Sequence, residues 1–132
     1  MMVAVYAVKG GAGRTTIAVN LAAALGQKHR GDCVLLDLSL PYNHAALVAN
    51  LDLVISVDTS VAHLTGALGK PVWLLNRLES EWRWQLDRED SPWYPTMRIF
   101  RQSALNDWDS VVERVASELG RLAGSAATGA GD

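Results

Sequence analysis

Residues 3–25 place an apolar run, a glycine turn and a helix-forming stretch one after another, and few folds accept that order. Val3-Ala4-Val5-Tyr6-Ala7-Val8 has the length of a buried strand. Lys9-Gly10-Gly11-Ala12-Gly13-Arg14-Thr15-Thr16 follows, with three glycines in four positions. Thr16 to Leu25 then reads as helix. Glycine lets the backbone turn its N–H groups inward as a concave nest. A helix N-terminus behind the nest adds about half a positive charge. Such a loop suits an anion; the other reading is a strand–helix turn with no ligand. Similar apolar runs predict strands at 2–8, 33–38, 53–57, 71–75 and 97–100, with helices near 14–27, 43–50, 60–68, 79–87 and 107–122. The runs are continuous rather than alternating, as in parallel strands covered on both faces. The expected fold is α/β: one three-layer α/β/α sandwich with a mainly parallel sheet of about five strands, P-loop- or Rossmann-like. Ligands of such sheets bind at the carboxyl ends of the strands.

The chain has 132 residues, enough for one core. Residues 1–123 read as a single domain, and 124–132 (Gly-Ser-Ala-Ala-Thr-Gly-Ala-Gly-Asp) as a flexible tail. A net charge of −2 gives no electrostatic case for nucleic acid as a partner. No apolar run approaches the roughly 20 residues of a membrane span. Lys9 and the glycines interrupt any signal-peptide layout. The lone Cys33 reads as a buried thiol, so a cytoplasmic location is expected. The helix at 60–68 should end at Gly69, with Pro71 just beyond, and the last helix should be capped by Asn106 or Asp107.

Framed as a phosphate loop of the form Gly-x-x-x-x-Gly-Lys-Ser/Thr, the stretch begins at Val8 and lacks the first glycine. Gly13 and Thr15 fit, and Arg14 replaces the lysine. Residues 2–48 resemble the ParA/MinD-type ATPases, whose deviant Walker A loop reads Lys-Gly-Gly-x-Gly-Lys-Thr-Thr; Asn20-Leu21-Ala22 and Val34-Leu35-Leu36-Asp37-Leu38 extend the likeness. The resemblance implies ATP or ADP with Mg²⁺ on Lys9, Gly10, Gly11, Ala12, Gly13, Arg14, Thr15 and Thr16. Lys9 would reach the phosphates across a homodimer, and Thr15 would ligate Mg²⁺. Asp37 would belong to the family's second motif, where Ser39 stands in place of its second Asp. Guanidinium grips phosphate as a fork and is not a compact point charge, so Arg14 argues for binding with weak or no hydrolysis. Leu53-Val54-Ile55-Ser56-Val57-Asp58-Thr59 also imitates the Walker B strand of those ATPases. Beside the first strand, Asp58 could hold a Mg²⁺ water near Thr15; alternatively it only caps the next helix.

Residues 50–122 carry a different likeness. Asp58-Thr59-Ser60 sits where a strand ends and a helix opens, with His63 one turn in and Leu64 after it. This segment, with Trp82-Arg83-Trp84, the loop from Asp87 to Pro95 and Trp108, resembles the C-terminal domain of glycosyltransferase family 9, the heptosyltransferase-like proteins. The resemblance implies that Thr59, Ser60 and His63 touch the diphosphate of a nucleotide-sugar, and the helix N-terminus favours an anion there independently. His63 otherwise reads as a satisfied helix histidine. Trp82, Trp84 and Trp93 either cap a core edge or stack on a sugar or base. The two likenesses together suggest a chimera joined near Leu47–Leu53; the other origin is a remote relative of one family. The main functional expectation is a nucleotide- or phosphate-binding domain. The alternatives are a non-catalytic fold with a relic loop and a nucleotide-sugar-binding fragment of a glycosyltransferase.

Overall fold

The computed structural model describes residues 3–6, 33–35, 44–79 and 82–129. In chain order these form β1 (Val3–Tyr6), β2 (Cys33–Leu35), α1 (His44–Ala49), β3 (Leu53–Val57), α2 (Ser60–Ala67), β4 (Val72–Asn76), a 3-10 turn (Trp82–Trp84), β5 (Met97–Arg101) and α3 (Trp108–Gly129). The fold is α/β, as expected. The strands pair in parallel in the order β2-β1-β3-β4-β5. Val5 lies opposite Ile55, Ile55 opposite Trp73, and Trp73 opposite Arg98, which fixes the register of the central strands.

All five residues of β3 and of β4 are buried. Successive side chains of a strand point to opposite faces, so two cores form. Leu53, Ile55, Val57, Trp73, Leu75 and Phe100 pack with Val111, Val115, Ala116 and Leu119 of α3. On the other face Val72, Leu74, Met97 and Ile99 pack with Ala62 of α2 and with Trp84. Each fully buried aliphatic side chain contributes about 1.5–3 kcal/mol by leaving water. The connection at 47–53, expected to be a junction between lineages, is a tight packed turn. Leu51 N–H donates to Val48 O at 3.1 Å, and Val48, Leu51, Val54 and Val61 share one core cluster.

Helix ends follow local chemistry. Thr59, extended at φ −145°, is the N-cap of α2. At the other end Gly69 takes φ +68°, a conformation glycine adopts without penalty. Gly69 N–H donates to Gly66 O at 3.0 Å and Lys70 N–H to Thr65 O at 3.1 Å, a Schellman closure at the predicted glycine. Asp107 caps α3 by accepting from Ser110 N–H at 3.2 Å, and Ser103 Oγ–H donates to its other carboxylate oxygen at 3.0 Å.

Two expectations differ from the structure. The predicted helix at 79–87 is, among the described residues, a single 3-10 turn. Gln85 at φ +52° ends it, and Arg101 draws the carbonyls of Trp84 (3.0 Å), Gln85 and Leu86 (2.6 Å) away from any helical ladder. The last helix runs on to Gly129, through most of the stretch read as a tail; Ala123, Ala126 and Ala127 favour that continuation. The helix at 14–27 and the strand residues 7–8 and 36–38 lie outside the described residues.

Hydrogen bonds from Ser110 and Ser103 hold the Asp107 carboxyl below its ordinary range, and Arg98 and Arg121 do the same for Glu118. Carboxylates depressed in the folded state stabilise it above their unfolded pKa, and that contribution is lost as pH falls through the folded value. Thermal stability should therefore hold steady at neutral pH and fall below about pH 4. Melting curves of Glu118→Gln against pH should show a shallower acid decline. A Cβ on Gly66 would lie 2.5 Å from Cγ of Tyr94. Gly66→Ala should thus cost about 1–3 kcal/mol in urea unfolding, by overpacking.

Candidate functional site

Polar side chains gather where β3 ends and α2 begins. Ser56, the last polar group before the core closes, is fully buried. Its hydroxyl donates to Val57 O at 2.8 Å, so the 3.1 Å contact with Thr59 Oγ1 has Thr59 donating. Thr59 makes no side-chain cap on α2. The first N–H groups of a helix lack the usual i−4 partner; here Ala62 and His63 N–H donate to Thr59 O at 3.1 and 3.4 Å, and the N–H groups of Ser60 and Val61 head the helix, with Ser60 exposed. An anion at this point would meet backbone donors and the positive end of the helix dipole.

His63, one turn into α2, is held from three sides. Its Nδ1 pairs with the Tyr94 hydroxyl at 2.9 Å, and the two rings meet edge to face with centroids 5.7 Å apart. The Trp84 ring lies 5.2 Å from the imidazole, centroid to centroid. Nε2 stands 3.8 Å from Asp58 Oδ1, too far for a hydrogen bond, so this nitrogen can still serve a ligand. The other Asp58 oxygen accepts from Trp84 Nε1–H at 3.1 Å. Trp84 is fully buried, and this bond satisfies its one polar atom.

A cavity of about 300 Å³ opens beside this group, lined by His63, Trp82, Arg83, Trp84, Trp93 and Tyr94. The loop carrying Trp93 and Tyr94 is braced by Ser91, whose hydroxyl accepts from both of their N–H groups at 3.2 and 3.3 Å. Arg101 fixes the opposite wall through the 84–86 carbonyls, and burial lowers its pKa. The volume and the mix of aromatic and cationic groups suit a small polar ligand with an apolar face.

The structure thus brings together Asp58, Thr59, Ser60 and His63. Lys9, Gly10, Gly11, Ala12, Gly13, Arg14, Thr15, Thr16 and Asp37 lie outside the described residues. β1 and β3 are neighbours, with Tyr6 opposite Ser56, so the strand adjacency that the Asp58 reading required is present. The Asp58 carboxylate itself is engaged by Trp84 and faces His63, and Thr59, not Asp58, is the N-cap of α2. Among the described residues, no three His, Cys, Asp or Glu side chains are placed to hold a metal ion. Sequence reasoning passed over Gly66, Arg101 and the role of Tyr94. Only the aromatic density of the 88–95 loop hinted at the last, since Tyr94 is 31 positions from its partner His63.

A parallel sheet flanked by helices, with polar groups at the carboxyl end of a central strand, defines the class: an α/β domain. Residues 13–114 match glycosyltransferase family 9 (heptosyltransferase), and the chain belongs to that family. The match crosses Leu47–Leu53 without a break, so the two-lineage reading has no support, and neither has the ParA/MinD-type assignment of residues 2–48. Protein FlbA of Caulobacter vibrioides is 38% identical over 81 residues, which cover 61% of this chain and 13% of that relative. No solved structure matches the chain. No helix among the described residues is long and apolar enough to cross a membrane.

Removing the Asp58 carboxylate leaves the Trp84 N–H buried without an acceptor. Asp58→Ala should therefore cost about 1–3 kcal/mol in urea unfolding. Asp58→Asn, whose amide oxygen can still accept from the indole, should recover most of that loss.

Proposed function

We propose that this chain is the nucleotide-sugar-binding part of a family 9 glycosyltransferase, with the diphosphate at the start of α2. The observation that supports this most directly is the convergence of uncapped α2 amides, Ser60 and His63 at one strand end, in a chain of that family. Glycosyl transfer leaves a nucleoside diphosphate, and negative charge grows on it as the glycosidic bond breaks. Backbone donors at α2 and His63 Nε2 would stabilise that charge, and such preorganised donors supply much of an enzyme's rate enhancement. Thr59 would act through its backbone, since its hydroxyl proton is directed to Ser56. The chain spans 13% of the length of the curated relative it matches, so transfer itself would need acceptor-binding residues beyond those described. The architecture in this reading is a three-layer sandwich on a five-stranded sheet, supported by the packing of α2 and α3 against opposite faces.

A second reading, ATP or ADP with Mg²⁺ on residues 9–16, has one supporting observation. The carboxyl end of β1, from which that segment leaves, lies beside Ser56 at the end of β3.

Calorimetric titration separates the two readings. Nucleoside diphosphates and pyrophosphate should bind, and His63→Ala should weaken them about tenfold, the effect of one charge-assisted hydrogen bond. Gly13→Val should change little. ATP binding that depends on Mg²⁺, is lost in Gly13→Val and is indifferent to His63→Ala would refute the α2 site in favour of the glycine loop.

A further inference from the structure

Building on the nucleotide-sugar reading, we propose that Trp82 and Trp93 form the corner that receives the sugar ring of the donor. Trp82 is 70% exposed and Trp93 58% exposed, whereas Trp84 between them in sequence is fully buried. Capping a core edge accounts for Trp84 and leaves the other two indoles in water without a structural role. Their planes meet at 88° with centroids 6.4 Å apart, and the Arg83 guanidinium lies 5.2 Å from the Trp82 ring centre. The 3-10 turn that begins at Trp82 is held two to four residues on by Arg101 at the 84–86 carbonyls, and the Trp93 backbone is held by Ser91. The corner is therefore formed before any ligand arrives, which lowers the ordering cost of binding.

The shape selects the occupant. A flat base gains most from a parallel, offset ring face. Perpendicular walls make a corner instead of a slot. A saturated pyranose ring turns C–H groups to both walls and hydroxyls outward, on the side where the Arg83 guanidinium lines the cavity. His63 lines this cavity and also occupies the first turn of α2. A group bonded directly to a diphosphate at α2 is thus within reach of the corner.

The test compares UDP, GDP and ADP with UDP-glucose, GDP-mannose and ADP-glucose, by calorimetry and tryptophan fluorescence on the whole chain. At least one sugar-bearing form should bind about tenfold more tightly than its own diphosphate. Trp82→Ala and Trp93→Ala should bring that ratio to about one, and Trp93→Phe should keep most of it. Both sites are exposed, and a circular dichroism melt checks that the variants fold. Equal affinity for sugar-bearing and sugar-free forms overturns the inference and leaves the diphosphate reading standing. Equal weakening of both forms by Trp82→Ala places the base in the corner and overturns it as well. No binding of any diphosphate removes the underlying reading, and the corner with it. A corner occupied by a second copy would appear as a Trp82→Ala effect on sedimentation mass in place of the affinity ratio, and also overturns the inference.

Discussion

Burial of β3 and β4 on both faces is the constraint from which the rest of the structure follows. Their polar side chains stand near the carboxyl ends, Ser56 on β3 and Asn76 on β4, and polar chemistry gathers there. At the carboxyl end of β3 the chain passes at once from core to site: Ile55 and Val57 lie in the α3-side core, and Ser56, Asp58, Thr59 and Ser60 supply hydroxyl and carboxyl groups. The buried Ser56 hydroxyl meets its requirement locally, through Val57 O and Thr59. Thr59 stands at the N-cap of α2 without a side-chain cap bond, and the amides of Ser60 and Val61 lead the helix.

The site is tied to the core by a single indole. Trp84 is one of the largest buried side chains on the α2-side face, and its N–H must find an acceptor there. Asp58 is that acceptor, so the acidic residue next to the proposed diphosphate is itself a packing requirement. Tyr94 completes the arrangement only because Gly66 has no side chain in its way. The histidine is thereby oriented by residues from three separate segments.

The family match places both sides of the 47–53 connection in one lineage, and the packing agrees with it. Val48 and Leu51 share a cluster with Val54 and Val61, so the 47–53 connection is a turn inside one domain. A glycine-rich turn after a first strand is common to many α/β folds that meet anions near strand ends. Local composition at residues 9–16 therefore resembles ATPase loops without marking descent from them. The Asp58-Thr59-Ser60 segment and the tryptophan-rich loop discriminated better, because their residue types serve particular contacts: indole to carboxylate, tyrosine to histidine.

Read alone, the residues already determined the α/β class, the parallel strands at 53–57, 71–75 and 97–100, the Gly69 helix stop and the grouping of Thr59, Ser60 and His63. All of these depend on neighbours within a few positions: apolar run length, a glycine at positive φ, a helix N-terminus. Strand order, the 3-10 turn in place of a helix at 79–87, and the pairing of Asp58 with Trp84 and of His63 with Tyr94 were decided only in three dimensions. The reason is physical. A helical stretch yields when Arg101, brought in on β5, competes for its carbonyls, and an indole finds its acceptor 26 residues away only once both faces of the sheet have closed.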